Sequence, residues 1–253
     1  MASQGRTWVG TSGWSYDSWD GAFYPDDLPR RRRLEHATRR FNSIEINGSF
    51  YSLQTPASYR KWYEAAPSDF RFAVKGSRFI THNKKLGDAR TALANFFASG
   101  PLRLGDKLGP ILWQLPDHVS FDRERVEAFL DLLPHDTEPA AALAREHDRR
   151  LEGRSWTEPG GRHRLRHAIE PRHDSWFEPE FVRVARERGV AGPRDPKRKS
   201  PRRGRGLFGS RDAAAFRLCY EALVTFAACG PFGPCVTSNS TRSFSERLLK
   251  PSA

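Results

Sequence analysis

The chain has 253 residues, with 42 Lys and Arg against 30 Asp and Glu for a net charge of +12, and its 38% hydrophobic content includes 17 Phe, 7 Trp and 6 Tyr. That length suits one (β/α)8 barrel or one domain with an appendage, and the aromatic bulk suffices for a sizeable core. No uncharged apolar run reaches membrane-spanning length and residues 1–10 lack a signal-like apolar stretch, so no membrane partner and a cytoplasmic location are expected.

The charge is unevenly distributed: residues 1–190 hold 30 Lys and Arg against 26 Asp and Glu, residues 191–253 hold 12 against 4. Most of the excess belongs to a tail rather than to the surface of a folded domain. Cys219, Cys229 and Cys235 also lie there, with no CxxC spacing and no nearby histidine, which argues against a zinc site or a disulfide framework.

Apolar, β-rich stretches alternate with helical patterns from the start. Residues 8–11 predict a first strand, and residues 30–41 a helix with Leu34, Ala37 and Phe41 on one face and a solvated Arg30 to Arg33 start. Residues 43–47 predict a second strand. Thr55 then stands as N-cap before Pro56 at the first helical position, with Tyr59, Trp62, Tyr63 and Ala66 on one stripe. Arg71–Lys75 predicts a third strand, and residues 88–99 a helix burying Leu93, Phe96 and Phe97 and stopping at Gly100. Residues 110–115 predict a fourth strand. Asp122 caps the next helix, striped by Val126, Phe129, Leu130 and Leu133, and an insertion over residues 139–166 begins with Ala-rich helix. His167–Glu170 predicts a fifth strand, followed by a helix opened by Pro179 and ended by Gly189. Five βα units imply a parallel sheet covered by helices, because parallel neighbours need crossover connections.

Five blocks of residues carry a family resemblance. They are Gly10-Thr11-Ser12-Gly13-Trp14-Ser15-Tyr16 with Gly21-x-Phe23-Tyr24-Pro25; Glu45-Ile46-Asn47-x-x-Phe50-Tyr51; Phe72-x-x-Lys75-x-Ser77-Arg78-x-Ile80-Thr81-His82; Gly109-Pro110-Ile111-Leu112-Trp113-Gln114-Leu115-Pro116; and Glu170-x-Arg172-His173-x-Ser175-Trp176. In this order they resemble the YecE-like family, domain-of-unknown-function family seventy-two. The resemblance implies an α/β fold of the TIM-type (β/α) barrel kind, with no established activity.

The polar residues of these blocks fall just after the strands, where the βα loops of a barrel place side chains over its open end. Glu45, Asn47, Lys75, Ser77, Arg78, His82, Gln114, Glu170, Arg172 and His173 are therefore candidates for one mouth. Lys75, Arg78 and His82 combine a point charge, a fork of donors and a titratable ring, which suits phosphate or carboxylate. Glu45, His82 and Glu170 are the candidate acid–base groups, compatible with hydrolase or isomerase chemistry, and the other seven are candidate ligand contacts. The bland alternative is mutual neutralisation of Glu45 and Glu170 by Lys75 and Arg172. A mixed metal site of Glu45, Glu170, His82 and His173 finds no supporting spacing, so no metal and no cofactor are expected. Gly204-x-Gly206-x-x-Gly209 follows a basic, proline-rich run rather than a strand, which argues against dinucleotide binding.

Beyond Val190 the chain departs from the family, whose resemblance implies an apolar sixth strand there. Residues 192–206 instead carry seven Lys or Arg and three prolines, a composition expected to stay disordered. One helix is expected over residues 212–229. A one-base offset in codons for Gly192-Pro193-Arg194-Asp195 can spell an apolar strand, which favours a shifted reading frame or a divergent end. The expected organisation is thus a partial, incomplete barrel over residues 1–190, of about five βα units, and a divergent, basic tail over 191–253. Three functions remain open: a barrel acting on a small anionic, phosphate- or sugar-bearing ligand, a barrel binding nucleic acid through mouth and tail, or an inactive truncated product.

Overall fold

A computed structural model describes residues 7–193. The expected basic linker and helix beyond them lie outside the described residues. Five parallel strands, β1 (Gly10–Ser12), β2 (Ser43–Ile46), β3 (Arg71–Lys75), β4 (Leu108–Gln114) and β5 (His167–Glu170), pair in chain order. Between them run α1 (Arg33–Thr38), α2 (Gly48–Tyr51), α3 (Pro56–Ala65), α4 (Arg90–Ala98), α5 (Arg123–Asp131) and α6 (Thr137–Ala144), and α7 (Pro179–Glu187) follows β5. Among the described residues the sheet is open, and no helix is long and apolar enough to cross a membrane.

The local signals act as the sequence predicts. The Thr55 hydroxyl accepts from Ser58 N ahead of Pro56, and the Asp122 carboxylate accepts from Arg125 N, each relieving one orphan N–H. Gly100 leaves α4 at φ 110°, where its missing side chain lets Pro56 approach. Arg33 departs from expectation. It is buried rather than solvated, with its guanidinium on Asp20 at 2.6 Å and Asp17 at 3.1 Å and lying over the Tyr24 ring, which ties the first βα loop to α1.

Register divides the sheet into two faces. Glu45 stands beside Ala73, Lys75 beside Leu112, and Gln114 beside Glu170, and side chains alternate along each strand. Ile44, Ile46, Phe72, Val74, Ile111, Trp113 and Ile169 share the other face and pack under the helices with Leu93, Phe96, Phe129 and Phe181 in one apolar core. On the first face the apolar residues Leu112, Ala168 and Ala191 form a separate small cluster. One face therefore supplies the core. The other presents carboxyl, amine and amide groups toward the strand ends.

The sheet continues one step past β5. Ala191 bridges Ala168 in parallel, with Ala191 N–H donating to His167 O at 2.9 Å and Ile169 N–H to Ala191 O at 2.8 Å. In parallel register the next two rungs require N–H groups from Pro193 and Pro171, and proline has none. The β4 side of β5 is untouched by Pro171, since Leu115 N–H reaches Glu170 O at 2.9 Å.

Candidate functional site

Because all five strands run parallel, their carboxyl ends lie along one edge of the sheet. Ser12, Glu45, Lys75, Gln114 and Glu170 each end or nearly end a strand there.

At the first two strands a hydrogen-bond chain forms. Asn47 Nδ2 donates to Ser12 Oγ at 2.7 Å, and Ser12 Oγ donates to Glu45 Oε1 at 2.8 Å. The Tyr16 hydroxyl donates to the Ser12 carbonyl. Glu45 is 2% exposed, and burial pushes its carboxyl above the usual range; the Lys75 charge and the Ser12 hydroxyl oppose this, and the Glu170 charge reinforces it. Burial likewise raises the Tyr16 phenol, against the Asn47 amide and with help from Glu45 and Tyr51. Ser12 and Tyr16 are site residues absent from the sequence-based set. The predicted first strand stops at Thr11, whereas β1 runs to Ser12, and that one-residue shift puts the Ser12 hydroxyl at the strand end.

After β3 the chain turns tightly. A Cβ on Gly76 would lie 2.2 Å from the Trp113 ring, so only glycine passes there. Ser77 Oγ accepts from Phe79 N–H at 3.2 Å and is occupied in shaping the turn. Residues Phe79–Asn83 then form a π-helical turn, carrying His82 beside Phe50 with ring centroids 5.0 Å apart. Such single π turns often occur at functional sites. Lys75 Nζ stands over the same Phe50 ring at 4.9 Å. His82 Nδ1 pairs with Thr81 Oγ1 at 2.9 Å. Burial, and then the charges of Arg78, Lys75, Arg172 and His118, hold His82 below the ordinary imidazole pKa.

On the far strands, Gln114 Nε2 donates to Glu170 Oε1 at 2.8 Å, and Arg172 Nε approaches the same oxygen at 3.9 Å. Arg172 thus stands at the outer limit of an ion pair with Glu170. His173 acts on its own loop, where its Nδ1 accepts from Ser175 N–H at 3.2 Å and pairs with Ser175 Oγ, capping the turn Asp174–Trp176. His118, on the loop after β4, joins the field around His82 and was also not read from sequence. Among the described residues, no group of three or more His, Cys, Asp and Glu side chains is placed to hold a metal ion. The aromatic residues of the opening block pack rather than stand free: Trp14 lies edge-on to Trp62, and Trp19 contacts Tyr16, Phe23 and Tyr24.

The arrangement joins cations, a buried carboxyl that resists ionisation and a second carboxylate held by an amide. A family model described as "Protein of unknown function DUF72" matches residues 8–207. The chain belongs to this DUF72 family. That match runs past Val190, where the sequence reading sets its boundary. Among curated relatives, the UPF0759 protein YunF of Bacillus subtilis (strain 168) is 24% identical over 180 residues, 69% of this chain and 53% of that protein. The UPF0759 protein YecE of Escherichia coli (strain K12) is 29% identical over 131 residues, 50% of this chain and 44% of that protein. The chain spans about half the length of these relatives. A crystal structure of a DUF72 family protein from Thermotoga maritima MSB8 is 25% identical, with a TM-score of 0.52 over 74% of this chain and 63% of that one. One from Enterococcus faecalis V583, 18% identical, shares the fold at a TM-score of 0.51, over 74% of this chain and 60% of that one. DUF72 membership accounts for the order of the five sequence blocks and assigns no reaction.

Proposed function

We propose that the five βα units are the front part of a TIM-type barrel whose mouth binds a small anionic ligand, a phosphate or a carboxylate. The observation that carries this reading is that Lys75 and His82 meet on the same Phe50 ring, at 4.9 and 5.0 Å, in a positive field to which Arg78 and Arg172 also contribute. Among the described residues Lys75 lies over the Phe50 ring rather than in an ion pair, with the buried Glu45 within its electrostatic reach. Like charges so gathered repel one another, and an anion relieves that repulsion while accepting bidentate donors from an arginine. Lys75 and Arg78 then hold the anion, Asn47, Gln114 and Arg172 stand around it, and Glu45, His82 and Glu170 are the groups available for proton transfer. Ser77 and His173 serve mainly to shape their loops.

Thermal unfolding of the full chain with and without inorganic phosphate tests the reading. A dissociation constant of about 0.1 mM gives roughly 2.7 kcal/mol of protection at about 10 mM phosphate, and Arg78→Ala abolishes it. An unchanged Tm in a chain that unfolds cooperatively overturns the proposal.

A further inference from the structure

Among the described residues three large apolar side chains are exposed: Val9, Tyr51 and Phe79. Two of them lie on the segments that follow β2 and β3. Tyr51, 71% exposed, ends the short helix α2 that leaves β2 directly after Asn47. Its neighbour Phe50 is buried and carries Lys75 and His82 on its ring. Phe79, 41% exposed, follows Arg78 without a gap and opens the π-helical turn. It is bracketed by Lys84 Nζ and the Arg150 guanidinium, each 5.9 Å from its centroid.

Core aromatics of this chain are covered; Trp113, Trp176, Tyr59, Phe70, Phe72 and Phe96 are all fully buried. Leaving two rings in water, one against Phe50, which carries Lys75, and one directly after Arg78, forgoes the apolar burial that the other rings obtain. The forgone burial is recovered when a flat ring from a ligand covers them. A planar heterocycle stacks on Phe or Tyr whatever its substituents, and a phosphate attached to it falls within reach of Lys75 and Arg78. A plain sugar phosphate uses the cations and leaves the rings bare. An aliphatic carboxylate does the same.

We infer that the anionic ligand of this mouth is a nucleoside phosphate, its phosphate held by Lys75 and Arg78 and its base stacked on the exposed ring Tyr51 or Phe79. The inference rests on the anion-binding reading above and adds the base. The phosphate can come from a free nucleotide or from a single-stranded nucleic acid.

Calorimetric titration of the full chain with inorganic phosphate, ribose 5-phosphate, AMP and a short single-stranded oligonucleotide separates the cases. AMP is expected to bind about tenfold more tightly than ribose 5-phosphate, since base stacking on an aromatic side chain contributes a factor of this size or more. At least one of Tyr51→Ala and Phe79→Ala should bring AMP down to the ribose 5-phosphate value while leaving phosphate affinity unchanged. Both positions are exposed, so the variants retain the wild-type Tm. Oligonucleotide binding tighter than AMP, weakening steeply with salt, assigns the source to nucleic acid; AMP binding at least as tight assigns it to the free nucleotide. Equal affinities for AMP and ribose 5-phosphate, or AMP affinity unmoved by both variants, overturn this inference and leave the anion site standing. No binding of phosphate or AMP removes both.

Discussion

The indole N–H of Trp113 donates to Nδ1 of His167 at 3.2 Å, and the other ring nitrogen of His167 pairs with the Pro134 carbonyl at 2.8 Å. The two partners fix the tautomer: Nδ1 accepts, so the proton sits on Nε2. The ring is neutral and fully buried at the base of β5, with Trp113 stacked beside it and His135 edge-on.

Stability is therefore expected to fall with acidification. Burial pushes the His167 pKa down to about 4, from an ordinary 6.5. The unfolded chain binds the proton first, so stability is full above about pH 6.5 and is lost progressively as pH falls toward 4. The loss reaches about 3 kcal/mol at the low end. His135, also depressed by burial, adds to it with the same sign. Urea denaturation at pH 7 and pH 4.5 should show this slope in the wild type and a flatter one in His167→Gln. Identical slopes would exclude His167 as the source.

Glu45 acts in the opposite direction. Its folded pKa is raised, so ionisation of the buried carboxyl opposes folding as pH rises above the unfolded value of 4.5. Glu45→Gln keeps an acceptor for the Ser12 hydroxyl and removes the charge. The variant should be more stable than wild type at pH 7 and show a smaller gain at pH 4.5, read by urea denaturation at both pH values. A variant less stable at pH 7 would show that Lys75 compensates the buried charge in full.

Gly76→Ala should be costly. A methyl group 2.2 Å from the Trp113 ring cannot be accommodated without moving either β3 or the core indole, and overpacking of this kind destabilises by about 1–3 kcal/mol. The turn that carries Arg78 and His82 shifts with it, so phosphate protection should fall along with the denaturation midpoint. A midpoint within error of wild type would mean that Trp113 has room to yield.

Arg33 and Arg31 separate a structural arginine from a solvated one. Arg33→Ala removes a buried guanidinium from Asp17 and Asp20 and from the Tyr24 ring. Both aspartates are exposed, so the loss comes mainly from the buried guanidinium and its packing on Tyr24, and Tm should fall clearly. Arg31→Ala should stay within about 0.5 kcal/mol of wild type. Equal effects on Tm would refute the distinction.

The strands and helices were legible because each has its own period and punctuation: Thr55-Pro56, Asp122 and Gly100 mark ends by local hydrogen bonding and φ alone. β3 and β5 keep the bounds the sequence predicts. The fate of Arg33 was not legible, since nothing local distinguishes it from Arg30 to Arg32; its aspartate partners come from the preceding loop. The candidate site was half legible. Glu45, Lys75, Gln114 and Glu170 follow from strand ends, whereas the role of Ser12 depends on where β1 stops. The π turn adds a residue that no apolar period reveals. His118 joins only through the way β3 and β4 lie side by side.

The edge of β5 provides the last test. Ala191 is held by two rungs, to His167 and Ile169, and the two that would follow each need an N–H from a proline, Pro193 toward Ile169 O and Pro171 toward the Pro193 carbonyl. Replacing either proline alone restores one donor, worth about 1 kcal/mol, against the roughly 0.4–1 kcal/mol lost by loosening the unfolded chain. Each single variant should therefore be near neutral. Pro171→Ala with Pro193→Ala allows two consecutive rungs, and each orders the backbone for the other, so the double variant should exceed the sum of the singles. Amide hydrogen exchange reads the effect directly. In the wild type the Ala191 amide, on the first of only two rungs, should exchange faster than that of Gly76, which donates to Leu112 O at 2.8 Å between β3 and β4; in the double variant it should slow about tenfold. An Ala191 amide already as protected as Gly76 in the wild type would show that the prolines do not limit pairing at this edge.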